Sequence, residues 1–336
     1  MQFEGVELCC PFCRGDLERD GTDQAGTLTC RACGTTYPIV CGIPDLRILP
    51  DPYIAMEADR AKGRTIAERA ADLTFEQLID FYYGITDVVP PEHARVYKAG
   101  LLGAVPRATA ALDGWQGVWG HAPGRRFLDV GCGTGPMLQA ADGFPIRAGV
   151  DIAFRWLVMG RKRLDEAGVK VPLICAAAEA LPFPDAHFDC VTADSVIELL
   201  HDQARGLRAM RRVLTAGGVL WAATPNRWSL GPDPHTGLIA GSWLPERVVT
   251  WYMRARHAKP PVRRLLSAGR FDQLMRDAGF NAPTLFLADF PPEQRRHFPA
   301  PIRAGVAVYQ FLKRMPAGRG LLRAVGPRLL AVARAD

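Results

Sequence analysis

A doubly wound α/β sheet is what the sequence predicts for most of this chain, from about residue 120 to its end, and three observations predict it. Strand-length apolar runs alternate there with helix-length amphipathic stretches. One of those runs, Arg126–Val130, leads straight into the turn Gly131-Cys-Gly-Thr-Gly135, with Pro136 opening a helix where a missing N–H does no harm. Another, Ile146 to Asp151, ends on an acidic side chain about twenty residues past that turn, where such folds accept hydrogen bonds from ribose hydroxyls. The expected division is a small unit over 1–50, a helical linker and lid over 51–119, and the sheet domain over 120–336.

Composition allows this and excludes several alternatives. A chain of 336 residues is long enough for about two domains. Hydrophobic residues at 48% and charged residues at 23% suit a water-soluble globular protein, and the net charge of +6 is too mild to name a partner. The first residues have no basic and apolar leader pattern, and no apolar run reaches spanning length, so a cytoplasmic protein without a transmembrane segment is expected.

Six of the nine cysteines precede residue 42. Cys10-Pro-Phe-Cys13 and Cys30-Arg-Ala-Cys33 have the paired-knuckle spacing of a four-thiolate zinc site, and a segment this small has little core without such a staple. Cys9 stands next to Cys10, so a shift of one residue would exchange the ligand at that end. Four thiolates leave no open coordination position, which argues for a structural zinc.

The glycine turn admits two cofactor classes. A dinucleotide fingerprint is G-x-G-x-x-G, with a pyrophosphate at the helix N-terminus. This chain has G-x-G-x-G after Asp129, which resembles motif I of the class I S-adenosylmethionine (SAM) methyltransferases; NAD binding is the alternative. The resemblance implies that Gly131, Gly133 and Gly135 lie against SAM, with its ammonium near Asp129 and its ribose on Asp151. A helix N-cap is the alternative role for Asp151.

Further motifs carry the same resemblance. The stretch Val171 to Val191, containing Glu179-Ala-Leu-Pro182-Phe183, resembles the adenine-pocket segment of the family that includes the ubiquinone and menaquinone methylases. That family commonly has an acidic residue where this chain has Ala177, so adenine recognition is expected from the backbone at Ala178 or the side chain of Glu179. Phe188 to Glu198 is expected as the fourth strand and exit loop, which in the family borders the methyl group and contains Asp194. Gly217 to Arg227 is expected as the fifth strand and its mouth, and Arg212 to Asn226 is similar to the family's pattern there. The implied fold is a seven-stranded Rossmann-like sheet.

The cysteine unit, through Gly42-Ile-Pro-Asp-Leu46, resembles the small zinc-ribbon proteins that activate tRNA and protein methyltransferases. In that family the ribbon is usually a separate protein, whereas here it is fused.

The remaining expectations concern the acceptor. Tyr82 and Tyr83 are candidates for a lid, with core packing as the alternative. His235 lies in a Pro- and Gly-rich loop beyond the fifth strand, between Pro232 and Pro234 on one side and Gly237 on the other. It is a candidate substrate contact or general base, or else a histidine bridging loop backbone. His201, expected on a helix over Asp202–Leu214, is a second candidate. The sixth strand is expected over Thr284–Phe290 and the seventh over Leu329–Arg334.

The fifth-strand mouth, Thr-Pro-Asn-Arg227, lacks the Asn-Pro-Pro-Tyr of adenine amino methylases, and no dense basic stripe with interleaved aromatics adjoins the ribbon. A small-molecule or lipid-like methyl acceptor is therefore expected ahead of rRNA or tRNA, and a non-catalytic SAM-binding scaffold is a third reading. Arg295 to Arg328 is basic with Phe311, Leu321 and Leu322 interspersed, a pattern for peripheral membrane contact or a solvated helical face.

Overall fold

The computed structural model describes residues 1–86, 91–119, 124–233, 235–256, 259–287 and 300–335. The cysteine-rich unit pairs β1 (Gln2–Phe3) with β2 (Val6–Glu7), and folds β3 (Leu17–Gly21), β4 (Gly26–Cys30), β5 (Thr36–Val40) and β6 (Ile43–Pro44) into an antiparallel sheet in chain order. It is not a separate bead. Phe3, Val6, Leu8, Leu17, Leu28 and Tyr37 share one buried core with Ile174, Ala176 and Phe183 of the large domain.

Four helices follow: α1 (Met56–Ala70), α2 (Phe75–Ile85), α3 (Pro91–Leu102) and α4 (Ala104–Trp119). Thr74 starts α2 with a capping box, its hydroxyl accepting from the Gln77 N–H while the Gln77 amide oxygen accepts from the Thr74 N–H. Phe75, Leu78, Ile79 and Tyr82 form the buried stripe of α2. Tyr82 is 2% exposed and packs on Trp156 and Tyr83, with ring centroids 4.8 and 5.2 Å away. It packs as a core residue of the helical segment.

The large sheet contains β7 (Arg126–Val130), β8 (Ile146–Asp151), β9 (Leu173–Cys175), β10 (Phe188–Asp194), β11 (Leu214–Pro225), β12 (Phe280–Phe286) and β13 (Arg328–Ala335), ordered β12-β13-β11-β10-β7-β8-β9. Strands β7 to β11 are parallel, and β13 runs antiparallel between β11 and β12. Chain order reverses between β7 and β10, which puts the topological switch point at the exits of those two strands. The crossovers use α5 (Pro136–Ala140), α6 (Phe154–Glu166) and α7 (Gln203–Val213); α8 (Glu246–Ala255) and α9 (Ala268–Asp277) precede β12, and α10 (Ala300–Arg314) and α11 (Pro316–Val325) precede β13.

Three expected boundaries move. The sixth strand begins at Phe280, earlier than expected, and residues 288–290 lie outside the described ones, as does Pro234. His201 is not on a helix: Asp202 is the N-cap of α7, its carboxylate accepting from the Arg205 N–H, so His201 lies in the turn before it. The β11 ladder starts at Leu214, because the Gly217-Gly218 pair continues the strand instead of opening it.

The ribbon meets the sheet at its β9 edge. The Leu46 N–H donates to the Cys175 carbonyl at 2.7 Å, Asp45 bridges Cys175 in parallel, and the Cys9 N–H donates to the Pro182 carbonyl at 2.9 Å. An otherwise open edge is thereby covered by chain from the ribbon, which removes a hazard for wrong pairing.

Candidate cofactor and acceptor site

Gly131 has φ of +72°, and a Cβ there would come within 2.1 Å of the Val196 side chain. That close approach excludes any larger residue. Gly133, at φ of +50°, has no heavy atom within 4 Å of where a Cβ would stand, so this part of the turn opens away from the protein. Gly135 ends the turn as the N-cap of α5, ahead of Pro136. The turn is tied down by the N–H groups of Gly131 and Cys132, which donate to the Val150 carbonyl at 2.7 and 3.0 Å.

Asp151 joins the second strand to this turn. One carboxylate oxygen accepts from the Gly133 N–H and the other from the Ala153 N–H, both at 2.8 Å. Each oxygen keeps a lone pair that can accept from a ribose hydroxyl. Burial raises its pKa above the ordinary carboxylate value, against the two N–H bonds that favour the charge. Asp151 does not cap α6. The Phe154 and Arg155 N–H groups donate instead to Asp59 of α1, at 2.8 and 3.4 Å.

Asp59 belongs to a buried ionic cluster that no motif in the sequence announces. Arg47 bonds Asp45 at 2.6 and 2.8 Å, Asp59 at 2.7 Å and the Ile152 carbonyl at 3.0 Å. Arg155 reaches Asp59 at 2.8 Å and Asp51 at 3.3 Å, and Arg60 reaches Asp45 at 2.7 Å. Burial opposes ionisation of Asp45, but the bonds and charge of Arg47 and Arg60 outweigh it and hold its pKa below the ordinary value. The cluster backs directly onto Ile152 and α6, so the ribbon's exit strand braces the turn after Asp151.

At the β7 exit, Asp129 is 4% exposed and accepts from Thr192 Oγ1 at 2.7 Å. Burial pushes its pKa up to about 8, with Asp194 and Asp151 adding to the rise and the Thr192 bond opposing it. Such a carboxyl sheds its proton readily when a cation arrives beside it. Asp194, at the β10 exit, accepts from Ser195 Oγ at 2.9 Å and pairs with Arg328. The register that sets Arg328 opposite Pro225 carries this arginine to the mouth of β11.

Ala178 opens a short 3-10 turn, Ala178–Ala180, at the β9 exit and is buried. Glu179 is also buried, but its carboxylate accepts from the N–H groups of His201 and Asp202, at 2.8 and 3.4 Å. That engagement holds the turn before α7 and commits the Glu179 carboxylate to backbone within the protein. The His201 side chain is about half exposed, with Nδ1 3.9 Å from Glu179 Oε1.

Glu198 is a second feature hidden in the sequence. It is 1% exposed; Oε2 accepts from Thr224 Oγ1 at 3.0 Å, while Oε1 has no hydrogen-bond partner. Burial raises its pKa to about 7, partly offset by its hydrogen bonds and by Arg328.

The loop beyond β11 is organised by Asp233, which is 1% exposed. Its carboxylate accepts from the N–H groups of His235 and Thr236 at 2.9 and 3.0 Å and from Ser242 Oγ at 3.0 Å, and it pairs with Arg263. Arg263 also lies 3.3 Å from His235 Nδ1. Burial and the Arg263 charge lower the His235 pKa to about 4, against the pull of Asp233. A base that weak takes up little proton near neutrality. The geometry thus favours the loop-bridging alternative for His235. Trp228 and Trp243 pack edge to face at 5.2 Å on the outer side of this loop, and Arg227 stacks on Trp228.

In the ribbon, the ligand atoms of Cys10, Cys13, Cys30 and Cys33 all lie within 4.8 Å of one another. The pairs Cys10–Cys33 and Cys13–Cys30 are 3.8 and 3.4 Å apart. Four thiolates about 2.3 Å from one zinc stand roughly 3.8 Å apart, so the set fits a tetrahedral zinc. Cys9 is outside it, its backbone engaged with Pro182, which resolves the one-residue ambiguity in favour of Cys10.

Comparison with known proteins finds a family match in each part of the chain. Residues 128–222 match the family model of a methyltransferase domain, and residues 8–42 match that of Trm112p-like proteins. The chain is 40% identical over 109 residues to the ubiquinone/menaquinone biosynthesis C-methyltransferase UbiE of Vibrio cholerae, a match covering 30% of this chain and 41% of that protein. The chain therefore spans less than half the length of this curated relative. A longer match, to the UbiE protein of Bordetella parapertussis, is 28% identical over 240 residues and covers 68% of this chain and 84% of that one. Among solved structures, an S-adenosylmethionine-dependent methyltransferase from Mesorhizobium loti aligns with a TM-score of 0.43 at 20% identity, covering 63% of this chain and 92% of the other.

Proposed function

This chain joins a class I methyltransferase domain to a Trm112p-like zinc-ribbon domain, and from that premise we propose that it transfers the methyl group of SAM to a small-molecule or lipid-like acceptor. One observation carries the cofactor side of this reading. The glycine turn, Asp151, Ala178 and Asp194 come from the exits of four adjacent strands, β7, β8, β9 and β10, at the switch point of the sheet.

SAM supplies a methyl carbon already made electrophilic by its sulfonium. The residues here have to bind, orient and exclude water. In this reading Asp151 accepts from the ribose hydroxyls, the Ala178 backbone meets adenine, and Gly131, Gly133 and Gly135 let the chain lie close to the nucleoside. Asp129 and Asp194 give a negative face to the methionine ammonium, and Arg328 fixes the orientation of Asp194. The acceptor enters over Asn226–Trp243, with Arg227 and Trp228 at the rim. His235 orders this loop through Asp233, and the half-exposed His201 is the remaining candidate for proton transfer. The three parts, 1–50, 51–119 and 120–336, act as brace, cover and catalytic domain.

A small or lipid-like acceptor is favoured over RNA by the ribbon's outer face. Arg19 and Arg31 there pair with Asp23 and Glu18, so no basic stripe remains for phosphates. The Trm112p-like match is the observation that favours an rRNA or tRNA acceptor as the second reading. Incubation with methyl-labelled SAM and separate lipid, small-molecule and RNA fractions tests all three readings. Label in the lipid or small-molecule fraction is expected; label in RNA alone overturns the acceptor, and no label in any fraction, with SAM still bound, favours a scaffold.

A further inference from the structure

The segment from Ala300 to Val325 contains Arg303, Lys313, Arg314, Arg319 and Arg323 and no Asp or Glu. It forms the helix pair α10 and α11, which inserts between β12 and β13 in the chain. The pair rests on the protein through Val306, Gly318 and Leu322, which are buried. Large apolar side chains of the same pair face solvent: Val308 is 59% exposed, Phe311 62% and Leu321 51%. Val308, Phe311 and Met315 are spaced three and four apart, which aligns them as one stripe on α10. Arg303 and Arg314 lie on the flank of that stripe, within one-third of a helical turn or so of it.

Water gives such a face no stabilisation, and a scattering of single exposed residues would need no explanation. A continuous apolar stripe with cations beside it is different. It has the pattern of a helix lying in a membrane interface, with its apolar side among acyl chains and its long basic side chains reaching to headgroups.

The position of the pair gives the pattern a use. The end of α11 is stitched to the loop at the mouth of β11. The Asn226 N–H and side-chain amide donate to the Pro327 and Ala324 carbonyls at 3.2 and 2.9 Å, and the Leu230 N–H donates to the Val325 carbonyl at 3.2 Å. Leu230 is 56% exposed and Trp228 42% exposed, so the loop itself shows apolar side chains next to the helix pair.

We propose that α10 and α11, with Trp228 and Leu230, form a docking surface for an anionic lipid bilayer, which places the acceptor mouth of β11 at the membrane. This rests on the lipid-like reading of the acceptor and names where that acceptor is met. A second copy of the chain is a poorer occupant, because it would bring five cations against five. RNA would satisfy the cations and leave Val308, Phe311 and Leu321 without a role.

The test is cosedimentation of the full chain with phosphatidylcholine vesicles, with and without phosphatidylglycerol. Alongside are run the variants Phe311→Ser with Leu321→Ser, and Arg303→Gln with Arg314→Gln. All four positions are at the surface, so thermal midpoints close to that of the unaltered protein are expected. The unaltered chain should sediment with the anionic vesicles and much less with the neutral ones. Each double variant should lower the partition by about tenfold or more.

No sedimentation with anionic vesicles overturns the proposal, and so does sedimentation that neither double variant changes. Binding of these helices to a tRNA mixture in place of vesicles overturns it in favour of RNA, and an apolar-variant-sensitive dimer overturns it in favour of self-association. The methyl-labelling experiment is read separately: label in a lipid fraction without vesicle binding leaves the proposed activity standing and removes only this surface.

Discussion

Two groups of charged side chains on this molecule share a composition rich in arginine and have opposite surroundings. At the β9 edge, Arg47 and Arg155 are buried with Asp45, Asp51 and Asp59, every guanidinium bonded to more than one carboxylate. On α10 and α11, four of the five cations, Arg303, Arg314, Arg319 and Arg323, are exposed, and the segment has no carboxylate. A charge can be buried only with its partners, because an unpartnered ion in the interior costs several kcal/mol. The first group is therefore committed to holding the ribbon, α1 and α6 together. The second is uncommitted within the described residues of the fold, apart from Lys313, and is available for an external surface.

The largest expected effect breaks the committed side by removing the metal. All seven tryptophans lie outside residues 1–50, so their fluorescence reports on the large domain. Chelation of zinc, or Cys30→Ser, should unfold the ribbon and also destabilise the sheet it covers. A loss of several kcal/mol is expected, up to about 10. It is read as a lowered midpoint of tryptophan-detected unfolding. An unchanged midpoint would mean that the two units are not coupled through their shared core.

The next effect comes from Asp59→Ala, which strips Arg47 and Arg155 of a partner and α6 of its cap. About 3–5 kcal/mol of stability should be lost in urea unfolding. A loss below 1 kcal/mol would show that the cluster contributes no more than surface pairs do.

Glu198 offers a pH test of a buried group with a missing partner. Its folded pKa of about 7 lies above the ordinary value of 4.5, so the folded chain holds the proton more tightly than the unfolded one. This contribution is fully present below about pH 4.5 and is lost as pH rises through about 7. Glu198→Gln should remove that dependence and gain up to roughly 3 kcal/mol relative to the parent at pH 8. Parallel stability curves for parent and variant from pH 5 to 8 would refute it.

At the cofactor, Asp151→Ala should weaken SAM by about 1–3 kcal/mol in calorimetry, with NAD not bound by either form. Unaltered SAM affinity would misplace the ribose. The smallest effect is expected at His235. With a pKa near 4 it stays neutral above about pH 5, so His235→Ala should lower the thermal midpoint while leaving kcat and its pH profile near neutrality almost unchanged. A strong fall in kcat with full stability would restore it as a base.

Much of the fold was legible because its signals are local. The glycine turn after Arg126–Val130 needs residues without Cβ, the paired cysteines need their spacing, and the alternation of strand and helix patterns follows from which faces are buried. Asp151 was legible for the same reason, as the last residue of a strand at a set distance from the turn. Its role as a brace between Gly133 and Ala153 follows from that position.

What only the tertiary structure decided is which distant groups meet. No spacing rule could find Asp59 as the cap of α6, Arg328 beside Asp194, or Glu179 holding the turn at His201, because each pairs elements far apart in the chain. Proton affinities belong to the same class. His235 is a candidate base from its glycine- and proline-rich loop, yet burial beside Arg263 lowers its pKa, and burial, with a smaller push from the Asp194 charge, raises that of Glu198. Sequence determined the turn, the metal knuckles and the order of strands, since backbone sterics and ligand spacing act over a few residues. Tertiary structure decided the charge partners and the titration of the site, since desolvation and Coulomb forces depend on what the folded chain brings within a few ångströms.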